Sequence, residues 1–147
     1  MEFELSAGVV IFRKNKEIKY LLLQKENGKW DFPKGNVENR EKMKVASIRE
    51  VNEETGINDL SFVDGFKEDI DLFYRLNNKL IKKRIEFYLA ETKTTKIKLS
   101  YEHKGYEWLN YEEASERLNF RSQKELLRKA DKVLSGKVSI QKGLNSY

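Results

Sequence analysis

Residues 3–12, FELSAGVVIF, form an apolar run with β-branched residues, the pattern of a strand covered on both faces. Arg13 to Lys16 are polar and read as a hairpin turn, with Ile18 to Gln24 as the antiparallel partner. Asn27-Gly28 signals a second turn, and Trp30 to Phe32 a short extended piece ending at Pro33. Proline holds the residue before it extended, so no helix starts before Lys34-Gly35, which reads as a loop. The spacing then predicts a helix from Lys42 to Thr55, with Val45, Ala46, Ile48 and Val51 as its core-facing stripe. Glu50, Glu53 and Glu54 fall mostly off that stripe. Gly56 stops the helix and Ile57 closes its apolar end.

Period-2 patterning returns after Leu60. The expected strands are Ser61–Val63, Phe66–Tyr74, Leu80–Glu91, Lys96–Leu99 and Gly105–Leu109, with Asn77-Asn78 as a hairpin turn. Ile70, Leu72 and Tyr74 share one face, with Asp69, Asp71 and Phe73 on the other. Helices are expected over Tyr111–Asn119 and Ser122–Leu134, the latter with Leu126, Leu127, Ala130 and Leu134 at helical spacing. Beyond Gly136 periodicity fades, so 136–147 is expected to be a loosely held tail. One domain spanning 1–147, of α+β or α/β class, accommodates this order.

Composition narrows the chemistry. The chain has 147 residues, no cysteine and one histidine, His103. Disulfides, thiolate metal sites and two-histidine sites are therefore excluded. No apolar run reaches transmembrane length and the start is acidic, so a soluble cytoplasmic protein with no membrane partner is the expectation. Lys plus Arg outnumber Asp plus Glu by 29 to 24, a net charge of +5, which suits an anionic partner.

Glu50, Glu53 and Glu54 lie within one turn and a half of the predicted helix, and like charges at this spacing repel. A solvated acidic face is one account of them. A hard divalent cation such as Mg²⁺ or Mn²⁺, bound for phosphate chemistry, is the other. The setting favours the second: Gly35, five residues, Glu41, seven residues, then Arg49-Glu50-Val51-Asn52-Glu53-Glu54-Thr55-Gly56-Ile57. This stretch resembles the signature box of the Nudix hydrolases at every defined position. The resemblance implies an α/β/α sandwich with a mixed sheet and a central loop–helix–loop. The implied activity is cleavage of nucleoside diphosphates linked to another group, with Mg²⁺ or Mn²⁺ as cofactor.

By that resemblance Glu50 and Glu54 are the principal metal ligands, Glu53 a further one, and Gly35 adds its carbonyl oxygen. Glu41 would be tied to Arg49, which also stands four residues before Glu53. AGVVIFR, YLLLQ, W-x-F-P-K-G-x-V-E and the run from Leu99 to Leu109 resemble the asymmetrical diadenosine tetraphosphate hydrolases of animals and archaea. That resemblance implies hydrolysis of dinucleoside polyphosphates, diadenosine tetraphosphate giving ATP and AMP, with Glu102 pointing at the metal. It also implies that Tyr74 and Phe120 flank an adenine. Lys34, beside Gly35, is placed to meet a phosphate and Lys83 is a candidate for the distal ones, with solvated lysines as the bland account of both. An ordinary loop carboxylate and core packing are the bland accounts of Glu102 and of the two aromatics. A hydrogen-bonding loop residue is as good an account of His103 as contact with substrate. Asn36 and Lys29 stand where the subfamily often has histidine; Asn36 can donate a hydrogen bond to phosphate but carries no proton.

The expected partner is a small nucleotide, with no stable nucleic-acid partner. Other substrates cut on this fold are RNA 5′-triphosphate ends, diphosphoinositol polyphosphates and nucleotide sugars. A binding module without turnover would normally have lost the box carboxylates, all of which are present here.

Overall fold

A computed structural model describes residues 1–136; the expected tail beyond Gly136 lies outside the described residues. Strand β1 (Glu2–Lys14) is the axis of the sheet. Its outer neighbours are β2 (Ile18–Lys25) along Phe12–Lys14 and β4 (Lys34–Asn36) along Ser6–Gly8, both antiparallel. On its other side β1 runs parallel to β7 (Lys79–Glu91) over eleven paired positions from Glu2–Ile81 to Phe12–Glu91. β3 (Trp30–Asp31) and β8 (His103–Leu109) pair with β2, while β5 (Ser61–Phe62) and β6 (Glu68–Leu76) pair with β7. The result is a mixed eight-stranded sheet.

Helix α1 (Met43–Thr55) covers one face, where Val51 joins Val9, Ile11, Leu21, Leu23 and Ile57 in a buried cluster. α2 (Tyr111–Arg117) and α3 (Arg121–Leu134) cover the other, where Leu126, Leu127 and Ala130 meet Val10, Phe12, Tyr20, Leu22 and Phe87. This is the α/β/α sandwich expected from the sequence. Both faces of β1 are covered, and Ser6 through Phe12 are all buried.

The structure departs from the periodicity in four places. Val45 and Ile48 are 52% and 43% exposed, whereas Ala46, Ser47, Val51, Glu54 and Thr55 are buried. The helix is therefore turned so that Ala46 and Val51 go inside as expected, while Val45 and Ile48 face out and Glu54 is buried beside Val51. Lys96–Leu99 is not a strand. Its backbone is spent on the end of α1 instead: Lys98 N donates to Thr55 O (2.9 Å) and Ser100 N to Glu54 O (3.3 Å). Asp59 anchors the stretch just before that segment by accepting from Thr92 Oγ1, Lys93 N and Thr94 Oγ1. Lys34-Gly35, expected as loop, is part of β4. The fourth departure is Phe66, which lies buried before β6 rather than within it.

Turns follow their residue chemistry. Asn77 and Asn78 both take positive φ (52° and 65°), the geometry of a tight two-residue hairpin that asparagine tolerates. Gly56, at φ 78°, ends α1 in the left-handed conformation, with its N–H donating to Asn52 O.

Candidate active site

The polar face of α1, the β3–β4 segment and the turn before β8 enclose a cleft of about 710 Å³. Arg49 organises its floor. Its guanidinium forks onto Glu41, Nε to Oε2 at 2.7 Å and Nη2 to Oε1 at 2.9 Å. Its Nη1 donates to Glu50 Oε2 (2.8 Å) and Glu53 Oε1 (3.1 Å), and Nη2 also donates to the Asn36 carbonyl (3.0 Å). The paired N–H groups of arginine match a carboxylate in a way lysine cannot. Glu41 is held down to about 2 by that fork.

Two carboxylates of the helix are held less comfortably. Glu54 is 6% exposed, and its one side-chain hydrogen bond comes from the Lys34 N–H at 3.2 Å. Burial pushes its carboxyl up to about 8; the Lys34 N–H opposes that shift, while Glu50 and Glu102 add to it. Glu50 is also raised, chiefly by burial and against the pull of Arg49. Its carboxylate lies directly over Gly35, where a Cβ would stand 1.9 Å from Oε1. Any side chain at position 35 would drive Glu50 out of this place.

Cationic groups face the acids. Lys25 Nζ and Lys34 Nζ flank Asp31 Oδ2 at 3.3 and 3.5 Å. Asp31 is buried, and its Oδ1 accepts from Phe32 N (2.8 Å) and Gln123 Nε2 (3.1 Å). Lys83 on β7 is half-buried and depressed by that burial, with Lys34 and Lys25 adding to the effect. Burial also lowers His103, favouring the neutral imidazole. The backbone N–H of His103 closes the Ser100–His103 turn, donating to Ser100 O at 3.2 Å. A register shift in β2 between Gln24 and Lys25 sets Lys25 opposite His103.

Of the residues singled out in the sequence, Lys34, Gly35, Asn36, Glu50, Glu53, Glu54, Glu102 and His103 line this one cleft. Arg49 stands behind it. Tyr74, Lys83 and Phe120 are not among the lining residues: Tyr74 Oη donates to Glu4 Oε1 at 2.7 Å, and Phe120 is an exposed ring under Lys29 Nζ at 5.1 Å. Lys25, Asp31, Phe32, Ser100 and Tyr101 line the cleft without having been anticipated. The strand-end position of Lys25 beside the turn residues gave no local motif.

The donor set suits a hard divalent cation. Five carboxylates share a cleft, one of them, Glu54, is buried with no ion pair among the described residues, and Gly35 leaves the space that the Glu50 carboxylate fills. Among the described residues no three acidic or histidine side chains already converge at metal-holding distance. Glu50 is drawn to Arg49 and Glu54 to the Lys34 amide.

The chain matches the NUDIX domain family over residues 2–130. A Mus musculus protein named bis(5′-nucleosyl)-tetraphosphatase [asymmetrical] is 34% identical over 142 residues, covering 88% of this chain and 94% of its own. A Caenorhabditis elegans protein of the same name is 34% identical over 137 residues, covering 89% and 96%. The solved binary complex of C. elegans Ap4A hydrolase superposes with a TM-score of 0.80 at 33% identity, over 90% of this chain and 98% of that one. The E. coli dihydroneopterin triphosphate pyrophosphohydrolase, at 21% identity, TM-score 0.72 and coverage of 88% and 97%, shares the fold. By its family match and these relatives, the chain belongs to the Nudix family of hydrolases.

Proposed function

We propose that this protein hydrolyses dinucleoside polyphosphates with bound Mg²⁺ or Mn²⁺, cutting diadenosine tetraphosphate to ATP and AMP. The observation that carries this reading is the meeting of Glu50, Glu53, Glu54 and Glu102 with Lys25, Lys34 and His103 in one cleft. The names of the mouse and nematode relatives support the substrate class.

Glu50, Glu53, Glu54, Glu102 and the Gly35 carbonyl would hold the cation. When bound, such an ion neutralises charge on phosphate oxygens and makes water easier to deprotonate. Phosphoryl transfer otherwise asks for positioning and compensation of charge, and the chain supplies both. Lys34 and Lys25, oriented by Asp31, present ammonium groups to the phosphates, and half-buried Lys83 extends them along β7. Asn36 accepts from Ser6 Oγ through Oδ1 (2.9 Å), which leaves its amide NH₂ to donate to a phosphate oxygen. Arg49 fixes the rotamers of Glu50 and Glu53, so its role is to position. The exposed rings of Phe120 and Tyr101 offer stacking surfaces for adenine. Water attacks one phosphorus, a carboxylate of the cluster takes its proton, and the P–O bond to the departing nucleotide breaks.

Incubation with Mg²⁺ and diadenosine tetraphosphate should release ATP and AMP in equal amounts. Two ADP as the only products would overturn the asymmetric cut. Faster turnover of RNA 5′-triphosphate ends, a diphosphoinositol polyphosphate or a nucleotide sugar in the same buffer would overturn the substrate assignment.

A further inference from the structure

Among the described residues β6 is paired with β7 along its whole length and with no other strand, which leaves its outer edge open to a partner. The pairing runs without a register break from Glu68–Phe87 to Leu76–Lys79. A long regular edge invites another strand unless bulges, proline or unmatched charges blunt it. β6 has neither a bulge nor a proline. It also exposes Leu72, Phe73, Tyr74 and Leu76, Phe73 by 60%. Across the sheet Phe73 and Phe3 flank Lys82 Nζ at 5.8 and 5.9 Å, so the exposed aromatic face continues onto β1.

The charges on this edge are the informative part. Ile70-Asp71-Leu72-Phe73-Tyr74-Arg75-Leu76 is complementary to its own reverse. Laid antiparallel against a second copy about Phe73, it sets Asp71 opposite Arg75, Leu72 opposite Tyr74 and Ile70 opposite Leu76. The two members of each pair share a face because the side-chain period is two, Asp71–Arg75 on the face of Phe73 and the two apolar pairs on the other. Asp69 lies diagonal to the same Arg75, which makes no ion pair with any described residue. Asp71 keeps its own Arg84, at 2.8 and 3.1 Å, on the inner side. Charges that would repel a foreign strand of arbitrary sequence attract a second copy in this register.

We propose that the protein forms a two-fold dimer by antiparallel pairing of β6 with β6 of a second copy, the dyad passing through Phe73. A two-fold contact of this type is closed, so it ends at two chains instead of growing into a filament. The claim is independent of the catalytic reading, since β6 supplies none of the cleft's lining residues.

Sedimentation velocity over a concentration series should show a species of twice the 17.4 kDa chain mass. Arg75→Asp and Phe73→Lys, both on the exposed edge, should each weaken the dimer about tenfold or more by placing like charges across the dyad. Their circular dichroism should be unchanged. The chain has no cysteine, so Phe73→Cys gives a clean cross-linking probe. Mild oxidation should link it into dimers much faster than Glu112→Cys on α2. A single-chain mass at every concentration overturns the proposal. So does a dimer indifferent to both charge variants, or cross-linking no faster at position 73 than at 112.

Discussion

Helices α1 and α3 pack on opposite faces of one sheet, and they obey different rules. α3 follows its apolar pattern: Leu126, Leu127 and Ala130 point inward, and the one buried polar side chain, Gln123, is used to hold Asp31. α1 follows its own only in part: Ala46 and Val51 go inside, but Val45 and Ile48 stay in water while Glu54 and Ser47 are buried. Packing free energy orients α3. α1 is oriented by the Arg49 network, by Gly35 beneath Glu50 and by the Thr55 and Glu54 carbonyls that accept from the following loop. A helix built for a site can afford apolar residues on its wet face, provided its ends and its polar face are tied down.

The contrast can be broken from either side. The largest expected effect is on turnover in α1: Glu54→Gln should lower steady-state hydrolysis by about 10²–10³-fold, a scale typical of losing one preorganised electrostatic group. Thermal stability should not fall with it, because glutamine keeps the volume and an acceptor for the Lys34 N–H. In α3 the effects should exchange places. Leu127→Ala should cost about 3 kcal/mol in urea unfolding, a buried leucine leaving a cavity, while the folded fraction retains its kcat. Next in size is Arg49→Lys, which loses the fork onto Glu41 and with it the hold on Glu50 and Glu53. About tenfold slower hydrolysis with little change in Tm is the expected outcome. Smallest of all, Val45→Ser and Ile48→Ser should each change unfolding free energy by no more than about 0.5 kcal/mol. A loss of several kcal/mol at Val45 would mean that the outer part of the apolar stripe packs as well.

Much of this could be read from residues in order. The buried run of β1, the Asn77-Asn78 hairpin, the stop at Gly56 and the inward leucines of α3 are local properties, decided by dihedral preference and side-chain period. The failures are long-range. Lys96–Leu99 alternates like a strand, but the Lys98 amide, with that of Ser100 just after it, serves the end of α1 instead of a ladder. Lys25 and Asp31 enter the cleft through the β2 register shift and the pairing of β3 with β2, neither of which leaves a mark in composition. The box residues were legible because their spacing on one helix already determines which of them can meet. Tyr74 and Phe120, separated in sequence from that helix, could be placed only by the fold.

The central claim is that the buried acids of α1 form a cation site, and the pH dependence of stability tests it most directly. Glu54 titrates at about 8 in the folded chain against 4.5 for an unperturbed carboxyl. Between those values the folded state keeps a proton that the unfolded state has released, so stability without metal falls as pH rises. A divalent cation needs the ionised carboxylate, so its stabilisation should grow over the same range. Tm measured at pH 5 and pH 8, with and without Mg²⁺ or Mn²⁺, should show the larger metal-induced rise at pH 8, and Glu54→Gln should abolish most of it. An equal rise in the native protein and the Glu54→Gln variant at pH 8 would contradict the account.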